Sequence, residues 1–344
     1  MQFSSYLSSS VPKIDKALFE ILVRWEREIA TVHPLLTPLI RSFTVSCQGG
    51  KRLRGVLVRL GYELAGGKPD NEIFKIAAAY EIFHTAILTH DDIIDRSVLR
   101  RGKPSLYNAL GGDHYGISQA ISLGDAGFFL ALKTIAVSSF SSDVKDRAIR
   151  IFVDGMLDTA MGEMLDVALP KEQDIPKEGD VLAIATYKTA RYSFAGPLTL
   201  GAALAGADKK LLSNLEKLGE NLGITYQIQD DILGVFGDEG TLGKSAVSDM
   251  QEGKLTLLFI HAKDHADKNQ SMILRRYYGK KNLSKVEAEK VKDIFIQTGS
   301  LEHSRQKVKY YTEHAKAAIP KLTENVYLQK VFVQLADFLV DRKK

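Results

Sequence analysis

Two short acidic stretches carry the side chains in this sequence best suited to binding a metal ion. One covers residues 91–95, with the sequence DDIID, and the other is Asp230-Asp231. Each follows hydrophobic residues at helical spacing, so its carboxylates lose solvation and repel one another unless a cation neutralises them. Asp91 and Asp95 are four residues apart and project from one helical face. Hard oxygen ligands of this kind suit Mg²⁺, which usually takes one or two carboxylates together with water and phosphate oxygens.

Basic residues lie close to the first acidic stretch and at an earlier position. Arg100 and Arg101 follow Asp95 after four residues, and arginine pairs readily with phosphate groups. Lys51 and Arg54 begin a predicted helix, where cations beside the N-terminus favour an anion. Taken alone, Lys51 and Arg54 are more simply interpreted as a solvated first turn. The acidic stretch and the arginine pair together predict a site for a metal ion and a diphosphate.

The hydrophobic periodicity of the elements that must position these residues is helical throughout. Apolar residues recur three and four positions apart, and turn signals separate the runs. The predicted helices are Ile14–Ile29, Leu53–Leu64, Asn71–Thr89, Ser118–Val137, Val144–Leu169 and Asp180–Leu204. Asp70 and Asp180 are predicted N-caps. No alternating β-branched run indicates a sheet and no linker divides the chain, so we predict an all-α helical bundle with a single domain over residues 1–344.

Composition limits the classes of function. The chain has 344 residues, of which 45% are hydrophobic and 26% charged, as in a globular protein with a substantial core. Its formal charge of +4 comes from dispersed Lys, Arg, Asp and Glu residues, which argues against nucleic-acid binding. Cys47 is the one cysteine, which excludes an intramolecular disulfide. We find no signal peptide and no apolar run long enough to span a bilayer, so we expect a cytoplasmic protein.

The order of the motifs resembles that of one enzyme family. Residues 88–95 read LTHDDIID, the sequence RRG follows at 100–102, and residues 222–231 read LGITYQIQDD. With GGKRLRG at 49–55, these motifs resemble the trans-type isoprenyl diphosphate synthases, which are head-to-tail prenyltransferases. The resemblance implies a helical bundle around a deep central cavity and a homodimer. It also implies Mg²⁺ as cofactor, with three ions bridging the two facing acidic motifs to the diphosphate of an allylic substrate.

The resemblance further implies a role for each matching residue. An allylic diphosphate ionises, isopentenyl diphosphate attacks the carbocation, and a proton is then lost to the released diphosphate. Asp91, Asp92 and Asp95 match the ligands of two ions, and Asp230 and Asp231 match those of the third. Lys51, Arg54, His84 and Arg101 match the site for isopentenyl diphosphate; Arg100, Lys188, Thr189, Gln227, Lys244 and Lys254 match that for the allylic diphosphate. Catalytic roles are assigned to Asp91, Asp95, Asp230 and Lys188.

The second acidic motif departs from the fuller family pattern. Gly234 stands where a third Asp often occurs, and Asp238 follows about a turn later. The third ion is therefore expected to depend mainly on Asp230, with Asp231 in support. His84, taken alone, would be interpreted as a core histidine, and only the surrounding motifs favour a substrate-binding role.

Three residues in the predicted helix that precedes Asp91 are expected to control product length. Ala86 and Ile87 lie about one turn deeper along the helix, and neither is an aromatic residue that would close the cavity at farnesyl length. Phe83 lies a further turn down, about 5.4 Å away, which is close to the length of one isoprene unit. We therefore expect a C20 product, geranylgeranyl diphosphate. The alternatives are that Phe83 only packs in the core, that Phe128 or Phe129 closes the cavity, or that the product is farnesyl or a longer diphosphate.

Two other functions fit parts of the sequence. A class I terpene cyclase also ionises a diphosphate with an Asp-rich motif, but it needs no second diphosphate site. A non-catalytic partner of an active synthase would be helical too, but such subunits usually lose one acidic motif. The C-terminal residues Arg342, Lys343 and Lys344 are interpreted as a frayed, solvated tail, and the alternatives are a tail that folds over the diphosphate site or one that contacts anionic lipid.

Overall fold

The computed structural model describes residues 2–172, 176–237 and 247–342. Its internal contacts divide the chain into two compact units. Unit 1 comprises Met1–Val153 and Gly196–Leu215, and unit 2 comprises Asp154–Ala195 and Glu216–Lys344. The single domain over residues 1–344 stays a prediction.

The described part of the chain is almost entirely helical, which confirms the predicted all-α class. From the N-terminus the helices are α1 (Gln2–Ala30), α2 (Leu36–Ser46), α3 (Leu53–Leu64), α4 (Asn71–Ile94), α5 (Leu106–Ala109), α6 (His114–Ala136), α7 (Ser142–Ala168), α8 (Glu178–Ile184), a π-helical segment (Ala185–Ala195), α9 (Gly196–Leu204) and α10 (Lys209–Phe236). Further helices are Ser248–Glu252, Leu257–His265, Lys268–Tyr277, Lys285–Gln297, Ser300–Ala318 and Val326–Val340, with 3₁₀ turns at Leu169–Lys171 and Ile319–Lys321. The two-residue strands β1 (Leu99–Arg100) and β2 (Lys103–Pro104) form an antiparallel hairpin. No helix in the described ranges is both long and apolar enough to cross a membrane.

Helix α4 is the central helix of unit 1 and carries the first acidic motif. It contacts α1, α3 and α6, and residues 76–80 are completely buried. A helix that is apolar on all sides is buried on all sides, which explains its nearly continuous hydrophobic sequence. Asp70 is the predicted N-cap, and its carboxylate accepts hydrogen bonds from the backbone N–H groups of Glu72 and Ile73. The buried packing and the N-cap thus hold α4, and with it the acids at its C-terminus, in a fixed position.

Helices α3 and α9 of unit 1 approach each other through two glycines. A Cβ atom added at Gly61 would lie 2.1 Å from the carbonyl oxygen of Leu198, and one at Gly201 would lie 2.0 Å from that of Val58. Both obstacles are backbone atoms, which no side-chain rotation can move. The backbones of the two helices are therefore in direct contact. This packing holds α3, which begins two residues after Lys51, in a fixed position.

We expect Gly61→Ala to lower the free energy of unfolding by about 3 kcal/mol, because the added methyl must push two helices apart. Denaturant unfolding monitored by circular dichroism measures the loss. Gly179→Ala is the matched control, since a Cβ at this position in α8 meets no atom within 4 Å. Alanine there should be neutral or stabilising. Equal stability of the two variants would contradict the close-packing argument.

The region predicted as one helix from Asp180 to Leu204 differs in the structure. It comprises α8, the π-helical segment and α9, and α8 already begins at Glu178. Asp180 is not the N-cap, so that prediction is wrong; it is the third residue of α8, and its carboxylate accepts the backbone N–H of Lys177 at 2.7 Å. Hydrophobic spacing indicated the helical path but not the change in helix type, which depends on neighbouring helices.

Candidate functional site

The first acidic motif lies in the last turn of α4, where Asp95 is the C-cap. Arg100, in strand β1, donates a hydrogen bond from Nε to Oδ1 of Asp92 at 2.8 Å. Its Nη2 contacts both Asp92 and Oδ2 of Asp91, the latter at 3.2 Å. Carboxylates at a helix C-terminus oppose the helix dipole, so a cation is needed here. The guanidinium group supplies that positive charge and ties the hairpin to α4.

Burial controls the charge state of this pair. Asp92 is 3% exposed, and burial raises the pKa of its carboxyl group while Arg100 opposes that rise. Burial also disfavours the charged form of Arg100, but its hydrogen bond to Asp92 and the charge of Asp91 hold its pKa above the ordinary value. The buried carboxylate of Asp92 therefore pairs with Arg100, whereas Asp95 at the helix end is exposed to solvent. The three carboxylates of the motif therefore differ in their exposure to solvent, and their roles as metal ligands stay a prediction.

The RRG sequence forms the tight turn of the hairpin. Arg101 and Gly102 connect the two strands, with φ angles of +53° and +73°. A two-residue turn with both central φ angles positive matches the twist of a hairpin, and glycine is favoured at the second position. The turn carries Arg101 toward the loop before α3, where its Nη1 donates to the carbonyl of Gln48 at 3.4 Å. A Cβ at Gly50 would lie 3.2 Å from the guanidinium group, so glycine there leaves room for Arg101.

His84 lies on α4 among several arginines of unit 1. It is 9% exposed, and burial lowers its pKa well below the ordinary value. The positive charges of Arg54, Arg101, Arg100 and Arg52 lower the pKa further. His84 is therefore neutral at pH 7, and an anion bound beside it would meet several guanidinium groups. The charges of Arg54 and Arg101 thus act on His84, and the shared substrate-binding role of the three residues stays a prediction.

Sequence reasoning missed the ion-pair network that fixes the start of α3. Arg52 is buried in the left-handed conformation, with a φ of 54°, and its Nε donates to Oδ1 of Asp15 at 2.7 Å. Its Nη1 lies 3.8 Å from Oε2 of Glu81, whose Oε1 accepts the backbone N–H of Gly55 at 2.8 Å. Glu81 thereby binds one of the unsatisfied N–H groups at the helix N-terminus. Arg52 thus anchors the loop that presents Lys51 and Arg54, a role its position in the basic run does not reveal.

Phe83 belongs to an aromatic cluster inside unit 1. Its ring centroid lies 4.9 Å from that of Phe152, 5.6 Å from that of Phe128 and 5.9 Å from that of Tyr80. Phe83 is 1% exposed. If its ring closes the end of the product cavity, these other aromatic rings pack against it and support it. Phe129 is 70% exposed and points away from this cluster.

The two shallower positions on α4 differ in their surroundings. Ala86 is fully buried, and its Cβ would lie 3.0 Å from a Cβ added at Gly127 of α6. Ile87 is partly exposed. Neither position carries a ring, so the aromatic cluster begins one turn below them.

Unit 2 brings most of the predicted allylic-site residues to one pocket that opens to solvent. Lys188 contacts Oδ2 of Asp166 at 2.6 Å and Oε2 of Glu163 at 2.8 Å. Thr189 donates to Oε1 of Gln227 at 2.7 Å, and Gln227 Nε2 donates to Oδ1 of Asp231 at 2.8 Å. The other polar lining residue is Lys254, and the apolar lining comes from Val181, Leu182, Ile184, Ala185, Ile228, Leu255 and Leu257. Sequence reasoning did not identify Asp166 or Glu163.

A buried ion pair forms one wall of this pocket. Lys254 Nζ lies 3.2 Å from Oδ1 of Asp231. Burial raises the pKa of Asp231 to about 6, although Lys254 opposes the rise. The pKa of Lys254 lies well above its ordinary value, because Asp231, Asp249 and Asp166 outweigh the effect of burial. Lys254 is therefore charged throughout the neutral range, as a diphosphate-binding residue must be.

Asp230 is more accessible than Asp231 and contacts the C-terminus. Its side chain is 40% exposed, and Nη2 of Arg342 lies 3.0 Å from its Oδ1. Arg342 also lies over the ring of Tyr226, at 4.1 Å from the centroid, and its side chain is 9% exposed. The prediction of a solvated tail is thus wrong for Arg342, because its charge pairs with an acid and its plane stacks on an aromatic ring. Lys244, Asp238, Lys343 and Lys344 lie outside the described residues.

Gly234 has a neighbour that explains the missing third acid. A Cβ at Gly234 would lie 2.2 Å from Oδ2 of Asp249, a 4% exposed residue of the helix Ser248–Glu252. A carboxylate from another helix therefore occupies the space beside α10 where a side chain at 234 would begin. Nothing at position 234 itself indicated this contact.

The donors of each acidic motif fit Mg²⁺. In unit 1, Asp91 and Asp95 offer carboxylate oxygens beside Arg100, and in unit 2, Asp230 offers carboxylate oxygens beside Arg342. Within the described ranges, no three or more His, Cys, Asp or Glu side chains form a ready-made metal cage. Mg²⁺ usually keeps several waters and takes phosphate oxygens rather than an all-protein cage. The residues are therefore suited to a metal that arrives with a diphosphate.

Comparisons with known proteins agree with this geometry. Residues 37–295 match the model of the polyprenyl synthetase family. The chain is 31% identical over 343 residues to a geranylgeranyl diphosphate synthase of Sulfolobus acidocaldarius, covering 99% of this chain and 94% of the relative. It is 31% identical over 301 residues to a geranylfarnesyl diphosphate synthase of Aeropyrum pernix, covering 86% and 91%. A geranylgeranyl pyrophosphate synthase from Corynebacterium glutamicum, solved with isoprenyl diphosphate and magnesium, has a TM-score of 0.90 at 27% identity, covering 96% of this chain and 97% of that chain.

The all-α fold and the clustered carboxylates and guanidinium groups define the class of protein as a prenyltransferase. The chain belongs to the polyprenyl synthetase family. This membership confirms the family, fold class and type of enzyme predicted from the sequence.

Proposed function

We propose that this protein condenses isopentenyl diphosphate head-to-tail with an allylic diphosphate. The observation that carries the proposal is the pair of neighbouring sites in unit 1. One is the carboxylate cluster around Arg100, and the other is the set of positive charges around His84. A terpene cyclase would use the first site but would leave Lys51, Arg54 and Arg101 without a task. A condensation of two diphosphates requires an anion site of this kind in addition to the metal-binding carboxylates.

Each group of residues has a task in this reaction. Lys51, Arg54, His84 and Arg101 bind the diphosphate of isopentenyl diphosphate, with neutral His84 available to donate or accept a hydrogen bond. Arg100, Lys188, Lys244 and Lys254 stabilise the allylic diphosphate as it leaves, while Thr189 and Gln227 orient it. Asp91, Asp92, Asp95, Asp230 and Asp231 hold Mg²⁺, as three ions. Mg²⁺ supplies positive charge that favours departure of the diphosphate. The apolar part of the pocket lining limits the contact of water with the carbocation.

The elongation assay tests the proposal directly. The purified chain, Mg²⁺ and isopentenyl diphosphate are incubated with geranyl or farnesyl diphosphate, and the products are separated by chromatography. We expect a longer linear prenyl diphosphate and inorganic diphosphate. A cyclic hydrocarbon would identify a terpene cyclase instead, and no turnover would favour a non-catalytic partner subunit.

The product is proposed to be C20 geranylgeranyl diphosphate, with Phe83 as the floor of the cavity. We expect Phe83→Ala to lengthen the main product by about one isoprene unit, because the next ring along α4, that of Tyr80, lies about a turn deeper. Chain lengths of the reaction products are the measurement. Phe295→Ala, which removes an equally buried ring from the core of unit 2, is the matched control and should leave the length unchanged. An unchanged length for Phe83→Ala would mean that this ring only packs in the core.

The protein is further proposed to act in the cytoplasm as a homodimer. An apolar stripe on α7 within unit 2 supports the dimer: Leu157, Met161, Met164 and Leu165 are spaced along one helical face and are each more than a third exposed. A contiguous exposed apolar stripe usually marks an interaction site. Sedimentation analysis should find a dimer, and Met164→Glu should shift it toward the monomer. A wild-type monomer at micromolar concentration would contradict this part of the proposal.

A further inference from the structure

The π-helical segment Ala185–Ala195 is the least regular part of the candidate site. π-helical geometry is rare in proteins and is frequently found at functional sites. The segment carries Lys188 and Thr189, which line the pocket of unit 2, and it also carries Arg191. Arg191 does not line that pocket, so the proposed reaction gives it no task.

Arg191 links the segment to two helices at once. Its Nη1 lies 3.0 Å from Oδ2 of Asp158 on α7, and its Nε lies 3.0 Å from Oε1 of Glu220 on α10. Its guanidinium group also lies over the ring of Tyr187, at 4.4 Å from the centroid. All three partners belong to unit 2. Charge-assisted hydrogen bonds of this kind are among the stronger polar interactions, and a planar guanidinium presents different N–H groups to two carboxylates in a fixed geometry.

Glycines on the same two helices fix the backbone of the segment. A Cβ at Gly162 of α7 would lie 2.1 Å from the backbone nitrogen of Lys188. On α10, a Cβ at Gly223 would lie 2.3 Å from Cα of Ala190, and one at Gly219 would lie 2.4 Å from Cα of Ala195. These contacts let the segment lie against both helices, but they do not determine which residue faces which helix. The two ion pairs of Arg191 tie one residue of the segment to one acid on each helix.

We propose that Arg191 is a positioning residue that holds the segment in the register in which Lys188 and Thr189 face the allylic diphosphate. The inference rests on the proposed function, because that function gives Lys188 and Thr189 their substrate. Without the two ion pairs the segment can relax toward an α-helix. A shift of one residue then rotates the side chains by about 100°, the angle between successive residues of an α-helix. Such a rotation would turn Lys188 from Asp166 and Thr189 from Gln227.

The test is the Arg191→Gln variant of the full-length chain, assayed with geranyl diphosphate and isopentenyl diphosphate. We expect kcat/KM for geranyl diphosphate to fall by about 10²-fold, as for a misplacement of about 1 Å, while the KM for isopentenyl diphosphate is unchanged. Hydrogen exchange of the amides of residues 185–195 should become faster, with the other helices unaffected. Arg191→Lys should recover part of the loss, because an ammonium group keeps the charge but lacks the fixed planar arrangement of donors.

Three further variants separate positioning from general stability. Arg150→Gln breaks an exposed ion pair with Asp146 on α7 and should behave as the wild type. Glu220→Gln alone should cause a smaller loss, and it should add nothing to Arg191→Gln, since both act on one contact. Asp158→Asn takes the place of Arg191→Gln if the latter does not fold.

Two results would overturn the inference. One is an unchanged kcat/KM for geranyl diphosphate in the arginine variant, and the other is an equal loss for both substrates with faster exchange throughout the chain. The exchange measurement needs no turnover. It therefore tests the register of the segment even if the wild type fails to elongate, an outcome that would refute the proposed function alone.

Discussion

Asp91→Asn is expected to lower the turnover number for elongation on the order of 10³-fold, because the variant loses a charged ligand of the metal that stabilises the departing diphosphate. Asparagine keeps the shape of the side chain, and losing a negative charge at the C-terminus of α4 does not oppose the helix dipole. The free energy of unfolding should therefore change little. Single-turnover release of diphosphate, followed beside denaturant unfolding, separates catalysis from folding.

Asp146→Asn is the matched control for that experiment. Asp146 is an acid on α7 whose side chain is 63% exposed and pairs only with the similarly exposed Arg150 among the contacts described for it. Its loss should leave turnover at the wild-type level. If Asp91→Asn retained more than about a tenth of wild-type turnover, the assignment of Asp91 as a metal ligand would be refuted.

Gly234→Asp is expected to damage the protein rather than complete its second acidic motif. The new Cβ would lie 2.2 Å from Oδ2 of Asp249, and two buried carboxylates would then share one space. Steric overlap and like-charge repulsion together should lower the free energy of unfolding by about 3 kcal/mol or more. Denaturant unfolding measures this loss, and elongation should fall with it.

Moving the carboxylate provides the control for this second prediction. The double variant Gly234→Asp/Asp249→Gly keeps one acid in the same space but supplies it from α10. We expect it to recover most of the stability lost by Gly234→Asp, through a favourable coupling between the two positions. If Gly234→Asp were as stable and active as the wild type, Asp249 could not occupy the position that the structure gives it.

The parts of the fold that depend on local pattern could be predicted from the sequence. Helix α3 has the predicted bounds, Leu53–Leu64, because its apolar spacing and its turn signals agree. Helix α4 continues to Ile94 rather than ending at Thr89. Acids at a helix C-terminus are locally unfavourable, and their stabilisation by Arg100 comes from a hairpin that the periodicity does not reveal.

The parts of the site that depend on tertiary contact could not be predicted. The motifs identified Lys188 and Asp230, but not the acids that hold Lys188 or the contact of Arg342 with Asp230. Arg191 gave no signal because an arginine in a helix is usually solvated, and its partners are 33 and 29 residues away in the chain. The π-helical segment itself depends on glycines of two other helices.

The charged groups that line the pocket of unit 2 have a consequence for kinetics. Its carboxylates belong to Asp166 and Asp231 and its ammonium groups to Lys188 and Lys254, so above pH 6 their formal charges cancel. A balanced pocket exerts little long-range attraction, so its lining residues should contribute little to any ionic-strength dependence of the affinity for the allylic substrate. The arginines around His84 carry positive charge, and the affinity for isopentenyl diphosphate should weaken steeply as salt is added. As the salt concentration rises, the binding of isopentenyl diphosphate should increasingly limit the rate.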